Sequence, residues 1–339
     1  MSEKAATIGI DIGGTSIRAA VVDDRGESMD TLRAATPATA QALEHCLDRL
    51  VGELGSRWSV SGVGLAIAGF LTRDRSTVRF APHLPWREAR VAEEMSARVG
   101  LPVFAEHDAN AAAVAEWRFG AAGHGQNSLV LAIGTGIGAG LVFDGRLYRG
   151  SYGVAPELGH IVIVPDGRPC SCGKRGCWER YCSGTALVDT VVELLADAEW
   201  GRSKLADESA ADPGSVTGRR IAAAANEGDP LALAAFASFA SYLGQGLAMI
   251  ADVFDPDLIV IAGGVGRASG LYLDDAREQY AAMLTGAGYR TLARIRGTQL
   301  GESAGMIGAA EVARTMLSDG ATATRTAGDA QLARAVLRD

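Results

Sequence analysis

At 339 residues with 48% apolar side chains, the chain exceeds the roughly 250–300 residues at which single cores tend to split, so two lobes are expected. A net charge of −8 and a sequence pI near 5.3 argue against non-specific binding to nucleic acid or anionic membranes. The uncharged run Leu129–Phe143 is fifteen residues long, short of the ~20 apolar residues that span a bilayer as a helix, so no membrane contact is expected.

From the N-terminus, Met1–Ile10 lacks the basic and apolar regions of a secretory leader, which makes a reducing cytoplasm the expected compartment. Ile8–Arg25 then reads as an apolar strand, a glycine turn at Asp11-Ile12-Gly13-Gly14-Thr15, and a second strand. Such a turn lets backbone N–H groups approach an anion, and Asp11 is placed to hold magnesium directly or through water. Taken singly, it is equally a plain tight turn. Cys46 falls in the helical pattern Leu43, Cys46, Leu47, Leu50 and reads as a small core residue. Gly64–Gly69 is an apolar strand closing on the small residues Ala68 and Gly69. His107-Asp108-Ala109-Asn110 precedes an alanine-rich helix over Ala109–Phe119, so Asp108 is either a helix cap or a carboxylate facing a cleft; the two are compatible. Gly120, Gly123 and Gly125 follow as candidate hinge residues.

Leu129–Arg146 aligns without a gap on Ile8–Arg25, with Ile12/Ile133, Gly13/Gly134, Val21/Val142, Asp23/Asp144 and Arg25/Arg146 coinciding. The repeat predicts duplicated α/β lobes, each opening on the same hairpin. The second turn, Gly134-Thr135-Gly136-Ile137-Gly138, is a second phosphate candidate, and Gly263-Gly264, after the strand Leu258–Ile261, is a third glycine cluster. None of them matches a P-loop or a Rossmann fingerprint.

Between the repeat and that third cluster lie Glu157-Leu158-Gly159-His160 and Cys170-x-Cys172-Gly173-x-x-Gly176-Cys177-x-Glu179. One histidine and three cysteines make a closed tetrahedral zinc set, with a glutamate on each side; a glycine-rich turn with incidental thiols is the alternative. The fifth cysteine, Cys182, reads as core. The polar stretch 199–218 reads as an exposed insertion, and the tail from Ser318 as flexible.

Taken together, DIGGT, GTGIG, AGGV, the ExGH box and CxCGxxGCxE resemble the ROK family of bacterial sugar kinases, over about Ile8–Ala310. Phe80-Ala81-Pro82, Leu84-Pro85-Trp86, Asp108-Ala109-Asn110 and Glu179–Thr185 are similar to the actinobacterial-type glucokinases within it. The resemblance implies the two-lobed actin-like ATPase (ribonuclease H-like) α/β fold. Residues 1–118 would form a small lobe, rejoined by a helix over 303–317, and 119–302 a large lobe with a structural zinc site; 318–339 would be the tail.

It also implies ATP-dependent transfer to the 6-hydroxyl of a hexose, glucose first, with Asp108 as general base. Ala68, Gly69, His107, Asp108, Glu157, His160 and Glu179 would meet the sugar. Asp11, Gly13, Gly14, Thr15, Gly134, Thr135, Gly136, Gly138, Gly263 and Gly264 would meet ATP and Mg2+, and His160, Cys170, Cys172 and Cys177 would hold Zn2+. His107 departs from the family pattern, which has asparagine there, so mannose, N-acetylmannosamine or fructose is an alternative hexose and polyphosphate an alternative donor. Most relatives form dimers or tetramers, so the resemblance implies a homodimer or homotetramer. Part of the family comprises DNA-binding repressors with an N-terminal helix-turn-helix; the ten residues before Asp11 are too few for one, so no nucleic-acid partner is expected.

Overall fold

The computed structural model describes residues 6–197 and 200–319. Its first sheet takes β1 (Ala6–Ile12), β2 (Ser16–Val22), β3 (Ser28–Ala35) and β4 (Val60–Ile67). A small sheet of β5 (Phe70–Leu71), β6 (Val78–Phe80) and β7 (Arg87–Ala89) intervenes before β8 (Val103–His107) completes the order β3-β2-β1-β4-β8. The second sheet takes β9 (Ser128–Ile133), β10 (Ile137–Phe143), β11 (Arg146–Tyr148), β12 (Leu258–Ala262) and β13 (Arg294–Gly297), in the order β11-β10-β9-β12-β13. Position for position the two orders are the same: an antiparallel three-strand meander, then two parallel strands.

The duplication is real in topology but its register differs by one residue. Ile12 faces Ile17 in the first hairpin, whereas Ile133 faces Ile137 in the second. The first turn is therefore one residue longer, and Ile17 rather than Ser16 is the counterpart of Ile137. Burial decides this: Ile17 and Ile137 both point into a core, while Ser16 is exposed.

The chain divides into two compact units. One takes residues to Ala115, then Arg149–Val154, then residues from Ser303; the other takes Glu116–Tyr148 and Ala155–Glu302. In the first, Ile8, Ile10 and Ile12 of β1 pack with Leu43, Leu47 and Leu50 of α1 (Ala40–Arg57), each worth about 1.5–3 kcal/mol when fully buried. Cys46 is only partly buried at the margin of this core. The unit is completed by α2 (Val91–Val99) and by the start of α3 (Asp108–Phe119).

The second unit holds α4 (Gly184–Asp197), α5 (Lys204–Ala211), α6 (Gly218–Asn226), α7 (Pro230–Phe254) and α8 (Leu273–Met283). Its central helix corrects the membrane reasoning, because 230–251 is a longer uncharged run than Leu129–Phe143. By length and composition α7 is able to cross a membrane, but more than half of its most apolar stretch is buried, Phe236, Phe239, Leu243 and Leu247 included. Asp229 caps it, accepting from the N–H groups of Leu231 and Ala232.

That cap also corrects the reading of 199–218 as a mere exposed insertion. Ser203 donates to Asp229 and caps α5, while Leu205 is fully buried, so a largely exposed segment is pinned at its start. Finally α9, residues 304–319, belongs to the first unit. The tail expected from Ser318 lies, from 320 on, outside the described residues.

Candidate active site

Three parallel strands of the first unit end in register. Asp11, Ala66 and Glu106 share one row, and Ile12, Ile67 and His107 the next. Gly13, Ala68 and Asp108 therefore leave the sheet side by side, at the carboxyl edge where open α/β sheets bind ligands. Gly69 follows, its N–H donating to Ile67 O.

Asp108 opens α3. Its Oδ1 accepts from the N–H of Ala109 at 2.7 Å and lies 3.2 Å from His107 Nε2. Asp11 sits deeper. Burial, and secondarily the charge of Asp108, push its carboxyl up to about 6, with Arg18 acting in the opposite direction.

The adjoining turn leaves Gly14 and Thr15 exposed, but the N–H of Gly13 closes the turn itself, donating to Ser16 O at 3.1 Å. Thr36 holds the turn from outside through Gly13 O and Thr15 O. The space a side chain at Gly14 would need is taken by His83, whose Cβ would stand 2.7 Å from it. His83 carries no sequence signal beyond its place between Ala81-Pro82 and Leu84-Pro85-Trp86. That loop is fixed by Arg87, which donates to the carbonyls of Ala81, Leu84 and Trp86.

In the second unit the last β9–β12 pair is Ala132 with Ala262, so the turn Gly134-Thr135-Gly136 and the pair Gly263-Gly264 leave adjacent strand ends. Gly138 is not in the turn; it pairs with Ala132 inside β10. The N–H of Gly134 closes its own turn on Gly136 O, and α4 starts against this turn, with Gly184 N–H on Gly134 O at 2.7 Å and Thr185 Oγ1 on Thr135 O at 3.0 Å.

Glu157 and His160 bracket one 3-10 turn, the N–H of His160 donating to Glu157 O. The cysteine knuckle follows. Gly173 takes φ +89°, and Gly176 lies where a Cβ would strike Val164 O. His160, Cys170, Cys172 and Cys177 thereby bring their donor atoms within 4.8 Å of one another. Cys172 and Cys177 sulfurs are 3.6 Å apart, as are Cys170 Sγ and His160 Nδ1. Tetrahedral zinc, with Zn–S of about 2.3 Å and Zn–N of about 2.0 Å, requires edges of about 3.8 and about 3.5 Å, so the donor set fits that ion. Burial pushes the Cys177 thiol up to about 12 and raises Cys170 as well, a penalty on thiolate that a dication offsets.

Glu179 joins this cluster to the second turn. Its Oε1 accepts from Cys170 Sγ at 3.2 Å and lies 3.5 Å from His160 Nδ1, and its Oε2 would stand 2.6 Å from a Cβ on Gly136.

Residues 7–316 match the ROK family. The chain belongs to this family. A glucokinase of Streptomyces coelicolor is 41% identical over 309 residues, covering 91% of this chain and 97% of that protein. A glucokinase of Halalkalibacterium halodurans is 33% identical, covering 89% and 92%. Among solved structures, a ROK family glucokinase from Streptomyces griseus in complex with glucose and AMPPNP matches with a TM-score of 0.82 at 40% identity, over 91% of this chain and 99% of that one. The duplicated α/β units are thus the actin-like ATPase fold that the motifs implied.

Sequence reasoning passed over Glu106 and Arg149. Glu106 is 2% exposed and accepts two hydrogen bonds from Arg149, at 2.8 and 2.6 Å. A charged residue within the strand Val103-Phe104-Ala105-Glu106-His107 was the available signal, since a buried carboxylate requires a partner.

Proposed function

We propose that the protein is a kinase that transfers the γ-phosphoryl group of ATP to the 6-hydroxyl of glucose. The observation that carries this reading is the row of parallel strand ends that sets Asp108 beside Ala68 and Gly13, in a chain 41% identical to a glucokinase over most of its length. Asp108 takes the proton from the 6-hydroxyl as that oxygen attacks phosphorus. One carboxylate oxygen, Oδ1, is engaged by Ala109 N–H, which leaves Oδ2 for the substrate. Ala68 and Gly69 lie along the sugar as backbone, and His107 meets its hydroxyls where the family has an amide.

Glu157, His160 and Glu179 read the remaining hydroxyls, and a wrong epimer leaves these groups unpaired. Asp11 binds magnesium, which offsets phosphate charge when present. The turns at Gly13-Gly14-Thr15 and Gly134-Thr135-Gly136 receive phosphates, and Gly263-Gly264 the nucleoside. His160, Cys170, Cys172 and Cys177 would hold zinc with four protein ligands, and the ion would there fix the ring of His160 rather than supply Lewis-acid chemistry.

A coupled ADP-release assay with Mg-ATP against glucose, mannose, fructose and N-acetylmannosamine tests the reading. Preferred turnover of glucose is expected; preference for another of these sugars, or turnover of none of them with Mg-ATP, would refute it.

A further inference from the structure

Between two stretches of the second unit the chain returns to the first for six residues, Arg149–Val154. Two contacts fasten this strap. Arg149 donates from both Nε and Nη2 to the single oxygen Oε2 of the buried Glu106, a charge-assisted pair. Four residues on, the backbone of Gly153 runs so close to Arg73 that a Cβ there would stand 2.8 Å from its N and Cα.

Glu106 serves more than the strap. Its Oε1 accepts from the backbone N–H of His107 and from the side-chain amide of Asn110, both at 3.1 Å, so the same carboxylate holds a residue on either side of Asp108. Arg75, held at φ +63°, approaches Oε2 at 3.5 Å and supplies a second positive charge. Downstream, three residues separate Gly153 from Glu157, so the strap is the point from which the Glu157–His160 turn begins.

We infer that Glu106 and Arg149 are positioning residues: their ion pair fixes, from one carboxylate, both the backbone that carries Asp108 and the strap that leads to Glu157 and His160. The inference rests on the hexose-kinase reading for its consequence in activity but not for its geometry. Arg149→Met keeps the apolar stem of the side chain and removes the guanidinium, while Arg75 still compensates the carboxylate, so the variant reports loss of the tether rather than an orphaned charge.

The test is amide hydrogen exchange by mass spectrometry on wild type and Arg149→Met without ligand, with glucose affinity by calorimetry and steady-state kinetics alongside. Peptides over 149–160 should lose protection by about tenfold or more. Glucose KM and Kd should rise roughly 10- to 100-fold while the KM for ATP stays within about twofold, a split that general destabilisation does not produce. A folded variant with wild-type exchange over 155–160 and wild-type glucose affinity would overturn the inference. If wild type binds no glucose, the kinase reading falls and the exchange arm alone decides this one. Should Arg149→Met fail to fold, Arg149→Lys keeps the charge without the fork; a smaller change in the same direction is expected, and wild-type exchange would count against the tether.

Discussion

Glu179 closes off the space above Gly136: its Oε2 would stand only 2.6 Å from the β-carbon of any other residue at 136. Because Oε1 of the same carboxylate accepts from Cys170, one side chain spans from the cysteine knuckle to the turn between β9 and β10. A glycine expected from the sequence to admit phosphate thus also leaves room for the carboxylate beside it.

Gly136→Ala tests that contact. The obstructing atom is the tip of a flexible side chain, so the fold should survive with its melting temperature nearly unchanged. Glu179 must move, and kcat/KM for glucose should fall roughly 10- to 100-fold. Thermal melts and steady-state kinetics on the same preparation check both halves.

Cys172→Ser removes one of four donors. Zinc content by elemental analysis should fall from one per chain toward zero, with loss of thermal stability and of glucose affinity. Because binding requires thiolates and burial raises Cys170 and Cys177, zinc uptake by the wild-type apoprotein should release protons and weaken as pH falls from 8 to 6.

Much of this was legible from residue spacing. The knuckle reads directly because the candidate zinc ligands and the two glycines that shape their turn are adjacent in sequence, and the duplicated hairpins read because apolar alternation and glycine punctuate them. The one-residue register difference did not, since turn length is settled by whether Ser16 or Ile17 enters the core. Nor did Arg149–Glu106, a pair forty-three residues apart that only the return of the strap brings together. Likewise α7 reads as a possible span from composition alone, and only packing identifies it as the core of the second unit.

Asp11→Asn should stabilise the folded protein while abolishing turnover. The carboxyl is raised from 3.8 to about 6, so the folded state resists its ionisation and the wild type loses stability as pH rises through that window. The amide escapes this cost. The gain should approach about 3 kcal/mol at pH 7.5 and fall to about half of that at pH 5, read from denaturant unfolding at the two pH values.

His107→Asn places an amide where this chain carries imidazole. Glucose preference over mannose, as a ratio of kcat/KM values, should rise by about tenfold, the worth of one correctly paired hydroxyl. An unchanged ratio would remove His107 from the sugar contacts and leave it as a neighbour of Asp108 alone.

The most direct test of the account is Asp108→Asn, assayed for ADP release with Mg-ATP and glucose and, in parallel, for glucose binding by calorimetry. Turnover should fall by at least about 10³-fold while glucose affinity stays within a few-fold of wild type, because the amide keeps the shape and loses the proton acceptor. Turnover near the wild-type rate would contradict the assignment of Asp108 as the base on which the account rests.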